Sequence, residues 1–348
     1  MPLSDVKAPK QAWNRPKNIK RILRPLLYCL KFTGLLHTVD VSQDSDPKDV
    51  PKPKRCCSVY KVYAIIVILI LWYKFGFSLL SFRDATRFDG FVCNEIITST
   101  WFFQVAGIAV NNYLKCNLWS DLFKKWDKIS DDLKIDTEKT MKKCVITCHV
   151  WLICAFSFTT IGFILNPTLQ SPIPGTSYDV AVVFRVVFVI TYFYFVTTWY
   201  LLTSIFAIIA FGAYRVYQHY NKKLKDALVG NGKFVGEIEK YRLQHYTLTR
   251  FLGTADRMLS AYVFFTIGTI IPLIIITLYF VVFQTIDTFS YIATWWSVSL
   301  SMVQLTVVFI GGGLVNHVMS VFLNQLTSNP IGFTALGLFT IDRSTIIT

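Results

Sequence analysis

Cys144, Cys148 and His149 place two thiols one helical turn apart beside an imidazole, the grouping in this 348-residue sequence that most resembles a metal site. A structural zinc site wants four ligands, and no fourth stands nearby, so the three read as small residues of an apolar helix and no metal is expected. Gly311-Gly312-Gly313 lacks the following Lys-Ser/Thr of a phosphate-cradling loop and sits near the end of a hydrophobic run. No serine, histidine and acid occur in a nucleophile context, so no catalytic residues, no cofactor and no enzyme activity are expected. The sharper chemistry is Arg185, a guanidinium inside an apolar stretch, with Asp179 six residues earlier as one candidate partner. A charge in such a place is a functional candidate by default, because it must find water, a carboxylate or a ligand.

The elements that carry these groups are long and apolar. The chain is 53% hydrophobic and 16% charged, with mean hydropathy +0.46, well short of the charged content of soluble domains. Six segments have the ~20 apolar residues that ~30 Å of hydrocarbon demands: 59–82, 96–115, 144–166, 180–214, 261–284 and 290–316. The fourth exceeds the bilayer and has no turn residue to interrupt it, which predicts one helix projecting beyond the membrane. The fold class is therefore an all-α polytopic membrane bundle with six transmembrane helices.

The basic residues orient it. Thirteen Lys/Arg fall in 1–61, eight in 115–143 and nine in 215–257, whereas the loops between them hold only Arg83 and Arg87. This positive-inside asymmetry puts the N-terminus in the cytoplasm, opposite to a G-protein-coupled receptor. It also accounts for the net charge of +14 without nucleic acid, since no groove of interleaved basic and aromatic residues appears. Of eight cysteines only Cys93 nears an extracellular loop, which excludes an extracellular disulfide framework. No apolar core in residues 1–24 marks a cleavable signal peptide.

The organisation that follows has three parts. Residues 1–58 form a cytoplasmic segment with an amphipathic helix (Ile22, Leu23, Leu26, Leu27, Leu30) that could lie along the inner leaflet, then a disordered polar linker over 40–55. Cys56 and Cys57, beside Lys54-Arg55 at the membrane edge, are candidate lipidation sites. Residues 59–316 form the bundle, with helical cytoplasmic loops at 116–143 and 215–260. Leu122, Phe123, Trp126, Ile129 and Leu133 recur at helical spacing in the first loop. Ile238, Tyr241, His245, Leu248, Leu252, Ala255 and Leu259 make a seam in the second that wants a partner helix, from this chain or another subunit. Residues 317–348 form a cytoplasmic tail.

Two stretches carry a family resemblance. Leu23-Arg24-Pro25-Leu26 followed by Gly34-Leu35 is similar to the opening of insect gustatory receptors, a chemosensory family related to insect odorant receptors. Phe333-Thr334-Ala335-Leu336-Gly337-Leu338-Phe339-Thr340-Ile341-Asp342-Arg343 resembles the segment that leads into their seventh helix. The resemblance implies a tetrameric, homomeric or heteromeric, ligand-gated non-selective cation channel that detects a small-molecule tastant in the plasma membrane of a chemosensory dendrite. The family's pore-lining seventh helix would begin where this sequence stops at Thr348, so the chain is expected to be incomplete for pore formation. A secondary transporter is the main alternative, although no repeat of halves is visible and Pro272 is isolated. A non-conducting truncated modulator of full-length subunits is another.

The resemblance also implies a ligand pocket in the extracellular half of the bundle. Trp101, Gln104, Arg185, Tyr192, Trp295 and Trp296 are the ligand-binding candidates it selects there. Aromatic walls with a few hydrogen-bonding groups suit sugars, alkaloids and other small ring compounds.

Overall fold

The computed structural model of the chain describes residues 19–37, 56–80, 82, 90–135, 138–164, 178–227, 238–283 and 288–323. Among these every regular element is an α-helix: α1 (Ile19–Phe32), α2 (Cys56–Leu80), α3 (Gly90–Leu114), α4 (Leu118–Leu133), α5 (Glu138–Ile164), α6 (Tyr178–Ala227), α7 (Ile238–Phe283) and α8 (Thr288–Leu323). The linker expected over 40–55, the tail beyond Leu323 and the side chains of Cys56, Cys57 and Arg185 lie outside the described residues.

Four helices are long and apolar enough to cross a bilayer among the described residues: Val59–Leu80 in α2, Val189–Ala227 in α6, Glu239–Phe283 in α7 and Thr294–Val318 in α8. The other two expected spans fall in α3 and α5, helices of 25 and 27 residues. α3 carries Gln104, Asn111 and Asn112 within its apolar run, and most side chains of α5 beyond Ser157 lie outside the described residues.

The 180–214 segment is indeed one helix. α6 runs for 50 residues, about 75 Å at 1.5 Å per residue. It is the central mast of the bundle, touching α1, α2, α3, α5, α7 and α8. α8 differs from expectation at its glycines, for the helix continues through Gly311 to Leu323 instead of ending there. The reason is close packing. A Cβ on Gly311 would lie 3.0 Å from a Phe206 ring carbon and 3.2 Å from the Ala210 methyl, so the missing side chain lets α8 press onto α6.

At its charged end the bundle has a core of its own. The apolar face of α4 is buried, with Trp126 lying against Gly212 of α6 and edge-on to Phe251 of α7 at 5.2 Å. Leu248, Leu252, Ala255 and Leu259 of the α7 seam are buried too, and the partner helix they wanted is α4 of the same chain. Polar bonds fasten the pair. Lys125 Nζ donates to Asp121 Oδ2 at 2.6 Å and to Thr254 Oγ1 at 2.5 Å, while Gln244 Nε2 donates to the Asp132 carbonyl at 3.0 Å. The bond from Lys125 holds the Asp121 carboxyl below its ordinary pKa.

α1 departs from the leaflet-bound helix that its pattern allows. Ile22, Leu23, Leu26, Leu27 and Leu30 are buried in protein, and Leu23, Leu26 and Leu27 meet Trp119, Ile205, Ile208 and Ile209. An amphipathic pattern requires an apolar partner without naming it, and here α6 supplies the surface that lipid might have. The helix ends in a glycine cap. Gly34, at φ +74°, allows Leu35 N–H to reach the Leu30 carbonyl at 2.9 Å and its own N–H to reach that of Lys31 at 3.2 Å.

The turn delivers His37 to the α3–α4 elbow. Its backbone N–H donates to Cys116 Sγ at 3.4 Å and its ring lies 4.7 Å from that of Tyr113. Burial, aided by the charge of Lys61, pushes the imidazole pKa below its ordinary 6.5. The folded state thus prefers neutral His37, and the stability this contributes is present above the ordinary pKa and lost as pH falls toward the lower folded value. Thermal stability should decline between pH 7 and pH 5.5, and less steeply in His37→Gln. An unchanged pH profile in the variant would mean that protonation of His37 is not opposed by its surroundings.

Candidate functional site

Polar side chains inside an apolar bundle concentrate at one level of four helices. Gln304 of α8 is the hub. Its Oε1 accepts from Trp199 Nε1 of α6 at 2.5 Å, and its Nε2 donates to Tyr262 OH at 3.2 Å and Thr266 Oγ1 at 3.4 Å, both on α7. Tyr262 OH donates in turn to Thr203 Oγ1 of α6 at 3.0 Å. Gln104 of α3 joins through its Nε2, which donates to the same Thr266 oxygen at 3.4 Å. Between neutral groups shielded from water such bonds fix one arrangement of the helices, because each alternative leaves a polar group unpaired.

The set is not fully satisfied. Gln104 Oε1, an acceptor on a fully buried side chain, has no hydrogen-bond partner among the described residues. Neither does Trp101 Nε1, a donor one turn before it on α3, nor do the buried hydroxyls of Thr198 and Ser301. An unmade bond of this kind costs about 1–3 kcal/mol. Rings surround these groups: Trp101 lies 5.6 Å from Trp199 and 6.3 Å from Phe195, and Phe102 lies 4.8 Å from Phe195. An aromatic wall with an unpaired donor, an unpaired acceptor and hydroxyls is what holds a small ring compound bearing hydroxyl groups.

The structure brings together some of the candidates and separates others. Trp101 and Gln104 belong to the cluster. Tyr192 joins it through Phe195, its ring 6.1 Å away, and Trp296 is half-buried against the core. Trp295 is 40% exposed and packs edge-on against the exposed Tyr291, on the outward face of α8. Arg185 lies in the first turns of α6, its side chain outside the described residues. Sequence reasoning missed Trp199, Thr203, Tyr262, Thr266 and Gln304. The signal that could have found Gln304 is its amide, which stands in the middle of the apolar run 290–316.

The family model described as 7tm Chemosensory receptor matches residues 23–315, most of the chain. The chain belongs to that family. No curated protein matches it. Among solved structures this chemosensory receptor is similar to the insect olfactory receptor OR5 from Machilis hrabei. The TM-score is 0.75 at 12% sequence identity, over 94% of this chain and 94% of that one. The same receptor in complex with eugenol matches with a TM-score of 0.68 at 12% identity, over 95% of this chain and 94% of that one. These likenesses establish the fold of the chemosensory receptor, a multi-pass helical bundle.

Proposed function

We propose that the chain is a gustatory-type receptor subunit of the plasma membrane that binds a small, hydroxyl-bearing ring compound between α3, α6, α7 and α8. The observation that carries this reading is the buried, unpaired donor and acceptor of Trp101 and Gln104 set among aromatic rings in a chemosensory receptor. Eugenol, a phenol bound by a receptor of the same fold, is a compound of that chemical kind. The pattern at 23–26 and 333–343 favours the gustatory branch. In this reading the six spans run with the N-terminus in the cytoplasm, the site lies near the middle of the bundle with Tyr192 and Trp296 on its extracellular side, Arg185 stands about 21 Å nearer the outer end of α6, and the subunit works in a tetrameric ligand-gated cation channel.

The test is a dose–response in cells that express the receptor in conducting form, with a panel of phenols, polyols and their deoxy analogues. Trp101→Phe removes the ring nitrogen and keeps an aromatic wall. It should weaken responses to hydroxylated ligands about tenfold, the cost of one hydrogen bond of about 1.4 kcal/mol, and leave deoxy analogues unmoved. Trp296→Ala should shift the same curves at normal surface level. Tags at the N-terminus and at Lys225 should stay inaccessible from outside intact cells. Unshifted curves in both variants would place the ligand elsewhere, and external labelling of either tag would reverse the topology.

A further inference from the structure

The outward stripe of α1 has a gradient of chemistry along its 14 residues. Arg21, Pro25, Tyr28 and Phe32 follow one another at helical spacing and are all exposed. The Arg21 end lies where the Ile19 N–H donates to Asp127 of α4 at 3.2 Å, at the charged end of the bundle. The Phe32 end lies against the apolar spans. Its ring stacks on that of Tyr194 of α6 at 6.2 Å, and its carbonyl accepts from Tyr63 OH of α2 at 2.6 Å. Beside Phe32, at the same end, sits Lys31, its ammonium 4.1 Å from the centre of the Tyr60 ring of α2. No carboxylate pairs with Lys31 among the described residues, and Lys61 stands exposed one residue beyond Tyr60.

We infer that the Phe32 end of this stripe binds an anionic phospholipid of the cytoplasmic leaflet, with the headgroup phosphate at Lys31 and an acyl chain along Phe32 and the exposed face of α2. A cation beside an apolar ring, with the Tyr28 phenol one turn toward the charged end, matches the boundary between headgroups and hydrocarbon. The Tyr60 ring holds the Lys31 ammonium in place and leaves its N–H donors free for phosphate oxygens. Continuity decides for lipid over an acidic peptide. The neighbouring face of α2 exposes Val59, Val62, Ile66 and Leu69, a surface that hydrocarbon covers without cost and an acidic peptide does not. The inference rests on the membrane placement proposed above and is independent of the tastant site.

The full chain in neutral detergent, offered equal amounts of short-chain phosphatidylserine and phosphatidylcholine and read by native mass spectrometry, tests it. Phosphatidylserine should be retained preferentially, and Lys31→Gln should reduce that preference about fivefold, the worth of one cation near an anionic surface. Lys31→Arg should keep the preference. The double variant Lys225→Gln/Lys240→Gln, at cations exposed elsewhere on α6 and α7, should keep it too. The inference is overturned if the two lipids bind equally, if the remote pair matters as much as Lys31, or if millimolar inorganic phosphate displaces the lipid. Loss of preference in both Lys31→Gln and Lys31→Arg would also overturn it, since a site that reads charge accepts either cation.

Discussion

Gly212→Ala is expected to destabilise the receptor by the upper part of the ~1–3 kcal/mol range for overpacking, because its new methyl has nowhere to go. A Cβ there would stand 2.2 Å from the tip of the Trp126 indole and 2.9 Å from the adjoining ring carbon. The indole cannot retreat easily, since Phe251 closes its other side and the whole ring is buried. The substitution would therefore drive α4 away from α6 and loosen the core at the charged end. Trp126→Leu alone should also be costly, leaving a cavity worth several kcal/mol on the order of other large-to-small changes. Combined, the two should cost clearly less than their sum, because the cavity receives the methyl. Melting of detergent-solubilised protein, followed by size-exclusion chromatography, measures all three. Strict additivity, or a neutral Gly212→Ala, would show that α4 does not rest on α6 at this glycine.

Gln304 and Gln104 should respond in opposite directions to the same substitution. Gln304→Leu deprives the Trp199 indole N–H of its acceptor inside the bundle, at about 1–3 kcal/mol for the stranded donor plus the lost bonds to Tyr262 and Thr266. Gln104→Leu removes one long bond of 3.4 Å and, with it, an acceptor that was already unpaired. The empty receptor should keep its melting temperature or gain in it, while the response to hydroxylated ligands falls sharply. A gain in stability with a loss in response marks a residue held for binding rather than for folding. Equal falls in melting temperature for the two leucine variants would assign Gln104 to the scaffold and leave the ligand without its acceptor.

What the sequence made visible depended on contrast with the surroundings. In α4 the polar neighbours Lys124, Lys125 and Asp127 throw Leu122, Phe123 and Trp126 into relief, so the buried face could be read directly. Within the spans that contrast vanishes, since a side chain facing lipid and one facing protein are equally apolar. Trp295 and Trp296 are neighbours of one type, yet the first faces outward and the second packs on the core. Trp199 and Tyr262 read as two more aromatics, because nothing local reveals that each meets Gln304 from a different helix. The polar hub is a product of the third dimension: Gln104 and Gln304 stand 200 positions apart and converge on the single hydroxyl of Thr266.

The unbroken course of α6 has a consequence for how such a chain can diverge. Trp199 is clamped at the polar cluster, Gly212 beneath the Trp126 indole thirteen positions later, and Asn221 Nδ2 donates to the Val318 carbonyl of α8 at 2.7 Å nine positions beyond that. One residue inserted between any two of these sites would turn everything after it by about 100° and advance it by about 1.5 Å. Every clamp on one side would then point away from its mate. Letters along the mast can be exchanged one at a time, but their number between clamps is fixed, as teeth are on meshed gears. Insertions between clamps should thus be tolerated far less than exchanges, so a helix pinned in this way keeps its length while its letters change.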